Sequence, residues 1–383
     1  MPVFKASGFF VPMRTTHIPV SPDWYTVILQ TYANREHGEV TKRSMTMGAI
    51  ARRITRVITA VVCVAVSVGV SVATLHVPTR EGGGERFNPA RYRSDVIADT
   101  VINHTTGVDK TQGTGTAGSP YDNKGYFPEA GYTPSDFHAP CSIWTYRDAE
   151  SVWNCQVSGL QDLDTSSPHV RDVLSDYFVK LLDYGVAGFR VDAVKHMPPE
   201  DVLAIKKLVA KKSGRSMNDI WWTQEVIGDN AEAAEIQPRN YLKTGQVNEF
   251  QYAYRLKSLF SNSLAGGSLS IKDIPQNITD SGKASVFVTN WDTERNNMTL
   301  TYKDGDAYRL ANAFMLAYPY GAPNVFSGYE FHDTDSGASG ATATSVPDID
   351  CSKDSGWSCT ERWPDVHGMV GWHNVAGDAP LSD

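Results

Sequence analysis

From residue 95 onward the apolar positions switch repeatedly between a period of two and a helical period. Residues 95–102 (DVIADTVI) are rich in β-branched side chains and read as a strand that ends at Asn103-His104. After Ser167-Pro168, the residues Val170, Val173, Leu174, Tyr177 and Leu181 recur at i, i+3, i+4 and i+7, which predicts a helix with one apolar face. Ser167 suits its N-cap, Pro168 its first turn and Gly185 its end. Residues 188–193 (GFRVDA) alternate Phe189 and Val191 with Arg190 and Asp192, a strand pattern. An amphipathic helix is predicted over 199–212, with strands over 219–225, 246–250 and 284–290. A helix over 307–317, a strand over 323–327 and a closing helix over 363–375 follow. Strand and helix in alternation predict a parallel sheet with helices outside it, here with six strands. Residues 105–140 have the Gly, Thr, Ser, Pro and Asp content of a loop, long enough to be functional or a subdomain.

The first ninety residues do not share this pattern. Arg52, Arg53 and Arg56 precede an uncharged run over 57–75 (VITAVVCVAVSVGVSVATL), about long enough to cross a bilayer. The run also has the shape of a secretory signal, with Ser71-Val72-Ala73 as a small-x-small cleavage site. The expectation is a cleaved signal and a secreted product, with a start at Met45 or Met47; the alternative is a membrane anchor through 57–75. Residues 1–44 read as an extension with no assigned role, and residues 81–85 (EGGGE) as a linker.

The net charge of −8 argues against a general phosphate-binding surface, and so against nucleic acid as a partner. Nine Trp and 17 Tyr suit the apolar faces of sugars, although core packing uses such residues too. Among five cysteines, Cys141/Cys155 and Cys351/Cys359 are close enough in sequence to form short-loop bridges, leaving Cys63. That pattern fits an exported protein.

Three acids stand at predicted strand ends: Asp192, Glu225 and Asp292. In a parallel β/α barrel such ends converge on one mouth, where catalytic groups are carried. Two carboxylates across a glycosidic bond can act as nucleophile and proton donor. Trp221 and Trp222 precede Glu225 and would help desolvate it, which keeps a proton donor protonated. Arg190 shares a strand face with Asp192 and would keep it ionised. A purely structural role, capping the helix that follows, competes for each acid singly; three together favour chemistry.

The segments GFRVDAVKH (188–196), QEVI (224–227), FVTNWD (287–292) and DTVINH (99–104) resemble the four sequence blocks of the α-amylase family, in the family's order. The resemblance runs from about residue 95 to the end and is nearest to the secreted animal and actinobacterial type. It implies a (β/α)8 TIM barrel and retaining hydrolysis of internal α-1,4-glucosidic bonds in starch, glycogen and malto-oligosaccharides. Asp192 matches the nucleophile, Glu225 the general acid/base, and Asp292 the acid that supports the transition state. His104, Arg190, Lys195, His196 and Trp291 match substrate-side positions, with Trp291 standing where most relatives carry His. Calcium is implied as cofactor, held by the side chains of Asn103 and Asp162 and the carbonyls of Trp153 and His196. Cys141 and Cys155 match a family disulfide. Arg190 and Asn290 match two chloride ligands of the chloride-dependent members, but Asn324 stands where those members need Arg or Lys, so weak anion binding or none is expected.

The chain also departs from the family. The blocks account for barrel strands three to eight, but not for strands one and two or a C-terminal β domain; Thr289 replaces a common Asp. The resulting expectation is an incomplete barrel over 91–102 and 163–383, with a calcium-binding subdomain inserted at 103–162. Exposed sheet edges and an opened core predict poor stability and low or no activity. A monomer is expected, and the competing reading is an inactive carbohydrate-binding remnant.

Overall fold

Short apolar segments separated by helices build one parallel sheet in the computed structural model, which describes residues 96–107, 112–115, 118–262, 270–338, 340–342, 348–352, 355–377 and 379. All of them lie in one compact unit. The strands are β1 (Ile97–Thr100), β2 (His104–Gly107), β3 (Gln112–Thr114), β4 (Pro120–Asp122), β5 (Leu160–Asp162), β6 (Gly188–Val191), β7 (Trp221–Gln224), β8 (Gln246–Asn248), β9 (Ala284–Phe287) and β10 (Ala322–Asn324). The helices are α1 (Ala149–Asn154), α2 (Pro168–Asp183), α3 (Pro199–Ser213), α4 (Phe250–Asn262), α5 (Trp291–Arg295), α6 (Asp306–Ala317) and α7 (Pro364–Ala376).

Six strands form the main sheet in the order β1-β6-β7-β8-β9-β10, every neighbouring pair parallel. This is a half-barrel: the parallel sheet that the alternation predicts, in the incomplete (β/α)8 architecture that the family resemblance implies. Helices α2 and α3 pack on one another outside it. There Phe178 of α2 meets Phe189 of β6 at 4.7 Å and Trp222 of β7 at 4.9 Å between ring centroids. All three rings are buried, and removing one such ring costs about 3–5 kcal/mol. A second core gathers Met315 and Leu316 of α6 against Val286 and Val288. Gly188 is required by close approach: a Cβ there would lie 2.4 Å from Trp221 Cβ and 2.6 Å from its carbonyl oxygen.

Several predicted elements shift. The strand expected over 219–225 begins only at Trp221, because residues Met217–Asp219 form a 3-10 turn capped by Ser216. The strand expected over 284–290 stops at Phe287. Asn290 instead caps α5, accepting from Thr293 N at 2.8 Å, so Asp292 sits in a helical first turn. The strand expected over 246–250 ends at Asn248, and Phe250 opens α4, a helix that the pattern analysis omits. Ser167 occupies the N-cap of α2 but makes no side-chain cap bond; Pro168 starts the helix. The segment read as loop over 105–140 carries a small ribbon, β3 with β4, and β2 pairs antiparallel with β5.

Both expected bridges are formed, Cys141–Cys155 and Cys351–Cys359. The readings at 1–44, 45–90, 57–75 and Cys63 lie outside the described residues. Among the described residues no helix is long and apolar enough to cross a membrane.

Candidate active site

Strands β6 and β7 are paired Val191 to Gln224, so the residues that follow, Asp192 and Glu225, emerge side by side. The ladder continues past both ends: Asp192 N donates to Thr100 O at 2.9 Å, Glu225 N to Val191 O at 2.9 Å, and Val194 N to Glu225 O at 3.0 Å. Ala193 then turns through a left-handed φ of 52°, a conformation that costs a non-glycine residue energy and clusters at functional sites. Its N–H donates to Glu225 Oε2 at 2.9 Å.

One guanidinium organises the acids. Arg190 is buried, with Nη1 2.8 Å from Asp192 Oδ1 and 3.0 Å from Asp99 Oδ1, and Nη2 3.1 Å from Glu225 Oε1. Asp99, opposite Arg190 in the β1–β6 register, has a side chain 39% exposed. Burial pushes the Glu225 carboxyl up to about 7; Arg190 pulls it down, while the charges of Asp192 and Asp292 push it up. Asp292 is exposed on α5 and close enough for its charge to act on Glu225. Trp221 shares the face of β7 that points toward Glu225, whereas Trp222 points to the helix layer and packs on Phe178 and Phe189. Only one of the two tryptophans is thus on the side expected to desolvate the acid.

Of the other predicted substrate-side residues, His104 is buried at the start of β2, and the remaining three form two groups. Lys195 and His196 are buried in the 3-10 turn after Asp192. Lys195 Nζ is 2.6 Å from Glu232 Oε2 and 5.1 Å above the Tyr146 ring. His196 Nδ1 lies 3.2 Å from Ala193 O and Nε2 3.1 Å from Tyr146 Oη. A carbonyl only accepts, so Nδ1 carries the proton and Nε2 accepts from the tyrosine hydroxyl. Burial lowers the imidazole to about 4, leaving it neutral near pH 7. Trp291 belongs to the second group, with the Arg295 guanidinium stacked 3.4 Å from its ring centre and Tyr329 edge-on at 5.8 Å.

The comparisons with known proteins decide between a hydrolase family and a chance grouping of acids. Residues 93–365 match the family model described as "Alpha amylase, catalytic domain". The chain belongs to the α-amylase family. It is 40% identical to an α-amylase of Streptomyces violaceus over 284 residues, covering 73% of this chain and 46% of that protein. It is 37% identical to an α-amylase of Tenebrio molitor, covering 78% of this chain and 66% of that one. The crystal structure of α-amylase I from Eisenia fetida superposes with a TM-score of 0.68 at 30% identity, covering 75% of this chain and 62% of that one. The chain therefore spans about half to two thirds of the length of these relatives.

Calcium, the ion that the family resemblance implies, can be tested against the residues present. Asn103 and Asp162 meet, Asn103 Nδ2 donating to Asp162 Oδ1 at 3.2 Å. Asn103 Oδ1 is buried without a partner, and burial raises the Asp162 carboxyl to about 6. His138 holds the other oxygen, Nδ1 to Oδ2 at 2.7 Å. Trp153 lies on α1, which packs against the turn that ends at His196. A buried, unsatisfied amide oxygen beside a buried carboxylate is a donor set that suits a hard cation, so these residues fit calcium.

Several members of this site are missing from the sequence reading. Asp99, Tyr146, Glu232 and His138 each bond a predicted site residue. Only Asp99 lay inside a quoted block, and its place opposite Arg190 is a matter of strand register. Glu232 and Tyr146 come from loops, where no periodic pattern points inward.

Proposed function

We propose that this chain is the catalytic part of an endo-acting α-amylase that hydrolyses α-1,4-glucosidic bonds in starch, glycogen and malto-oligosaccharides with retention of configuration. The observation that carries this reading is the single guanidinium of Arg190 shared by Asp192 and Glu225. Carboxylates held on adjacent nitrogens of one planar fork are close together, as a retaining enzyme needs; there the two carboxyls stand about 5–5.5 Å apart. The crystallised maltohexaose complex of an Eisenia fetida α-amylase variant supports the same substrate class.

In this mechanism Asp192, ionised beside Arg190, attacks the anomeric carbon. Glu225, whose burial raises its carboxyl to about 7 and keeps part of it protonated near neutral pH, gives its proton to the departing glycosidic oxygen. The carboxylate left on Glu225 then removes a proton from water, which attacks the glycosyl–Asp192 ester and releases the sugar. Asp292 supports the positive charge that builds on the ring. Lys195, His196 and His104 hold glucose units around the bond, and the Trp291 ring packs on a sugar face. Residues 91–102 and 163–383 are assigned to the barrel, and 103–162 to the inserted subdomain. Asn103 and Asp162, with the carbonyls of Trp153 and His196, would hold calcium, which fixes the subdomain beside the barrel mouth. Two disulfides agree with an exported enzyme.

The test is hydrolysis of maltoheptaose followed by proton NMR. Fresh product of the α-anomer, lost in D192N and E225Q, is the expected result. A β-anomeric first product, or turnover unchanged in D192N, overturns the proposal; tight sugar binding without turnover in the unsubstituted chain leaves only the carbohydrate-binding reading.

A further inference from the structure

Behind Arg190, a small cavity is lined by Arg190, Asn248, Asn290 and Asn324, with Phe287 and Val325 as its apolar wall. This is where the family resemblance puts chloride, and the residues present do not fit it. The decisive group is the Asn324 carboxamide, which is buried. Its Nδ2 donates to Ser285 Oγ at 2.7 Å, to Val286 O at 3.0 Å and to Ala322 O at 3.0 Å. Two of those partners are backbone carbonyls, which only accept. A flipped amide would set oxygen against both of them, so the orientation is fixed. The carbonyl Oδ1 is left buried with no hydrogen-bond partner, and its residue lines the cavity. An amide oxygen is the negative end of a dipole. It attracts a donor and repels an anion.

The charge around the cavity has the same sense. Arg190 is its cation, and that guanidinium already binds Asp99, Asp192 and Glu225. A halide entering here would add a negative charge to a cluster in which carboxylates outnumber the guanidinium. Asn290 does not alter this balance of charge: its oxygen caps α5 through Thr293 N, and its amide is neutral and cannot replace a cation.

We propose that the cavity behind Arg190 is a water site fixed by Asn324 Oδ1 and closed to halide, so that Arg190 acts on Asp192 and Glu225 without an intervening anion. The kinetic arm of the test rests on the amylase reading; the binding arm does not. Chloride binding is measured by the line width of the chlorine-35 NMR signal as protein is added, with bromide as competitor. The unsubstituted chain is expected to give no saturable, bromide-displaceable broadening. Its melting temperature is expected to be equal in chloride and acetate at matched ionic strength. N324R and N324K, which place a cation in the cavity, are expected to create displaceable broadening. Maltoheptaose hydrolysis should change less than twofold between the two salts in the unsubstituted chain. Saturable chloride broadening in that chain overturns the proposal even if neither variant folds. Absence of hydrolysis with no chloride binding overturns the amylase reading and leaves the water site standing.

Discussion

Arg190 and Asp192 lie two residues apart on one face of β6 and its extension, joined Nη1 to Oδ1 at 2.8 Å, while the same guanidinium reaches Glu225. A lysine is a point charge on a flexible stem and cannot bridge both acids. R190K should therefore lower kcat/KM by roughly 10²-fold, the scale of a misplaced reacting group. R190Q removes the cation that pulls the Glu225 carboxyl down, so the alkaline limb of its pH profile should move to higher pH. A limb that stays put in R190Q would show that the guanidinium does not act on Glu225.

The pH dependence follows from Glu225 itself. If Glu225 is the proton donor, as proposed, a carboxyl held at about 7 is charged above that value, so kcat/KM should fall as pH rises through about 7. Tyr254 faces the same group and stays protonated there, its hydroxyl raised by burial. E225Q has no proton to give and should lose about 10²–10⁴-fold in kcat. Rates measured across pH 5–9 check both statements.

How much of this the amino-acid sequence discloses depends on the length scale of the cause. The positions of Asp192 and Glu225 at strand ends are legible because each closes a short segment carrying β-branched and aromatic residues, Phe189 and Val191 before one and Trp221, Trp222 and Thr223 before the other. The Arg190–Asp192 pairing is legible because strand alternation puts residues two apart on one face. Helix α4 is missed although Phe250, Ala253 and Leu256 are buried at helical spacing, because the strand pattern before it runs into Phe250. Asp292 is misplaced by one capping interaction, Asn290 with Thr293, which draws the acid into a helix. Glu232 reaches Lys195 from 37 residues away, and His138 reaches Asp162 from 24. Loop positions such as these are set by tertiary packing, to which no local period corresponds.

Calcium should stabilise the fold through Asn103 and Asp162. The unsubstituted chain is expected to melt at a temperature that rises with free calcium, as any ligand of the folded state produces. D162A should abolish the rise and N103A should weaken it. A calcium-dependent melting curve that survives D162A would place the ion elsewhere.

Glu294 provides a second titration, of stability rather than rate. It is 3% exposed, and burial raises its carboxyl to about 7 against the opposing pull of Arg295 and Lys303. The folded state thus holds a proton that the unfolded chain releases near pH 4.5, and stability declines from there until pH passes about 7. The full difference is about 3 kcal/mol. E294Q should raise the melting temperature by several degrees at pH 8 and leave it nearly unchanged at pH 4. An equal effect at both pH values would show that packing, not charge, is responsible.

Gly188 tests the sheet beneath the acids. Alanine there meets Trp221 backbone and Cβ, which cannot move as a flexible side-chain tip can. G188A should cost about 1–3 kcal/mol or more in urea denaturation. A neutral result would mean that β6 and β7 are farther apart than described.

The pairing of Val191 with Gln224 has one more consequence. Side chains change face at every step along a strand, so a slip of one position between these two neighbours would swing either Asp192 or Glu225 behind the sheet. The spacing of Asp192 from Glu225 is therefore written into a hydrogen-bond ladder and not into flexible connections. Loops around the mouth are free to vary, while the distance between these two carboxylates stays locked in the backbone.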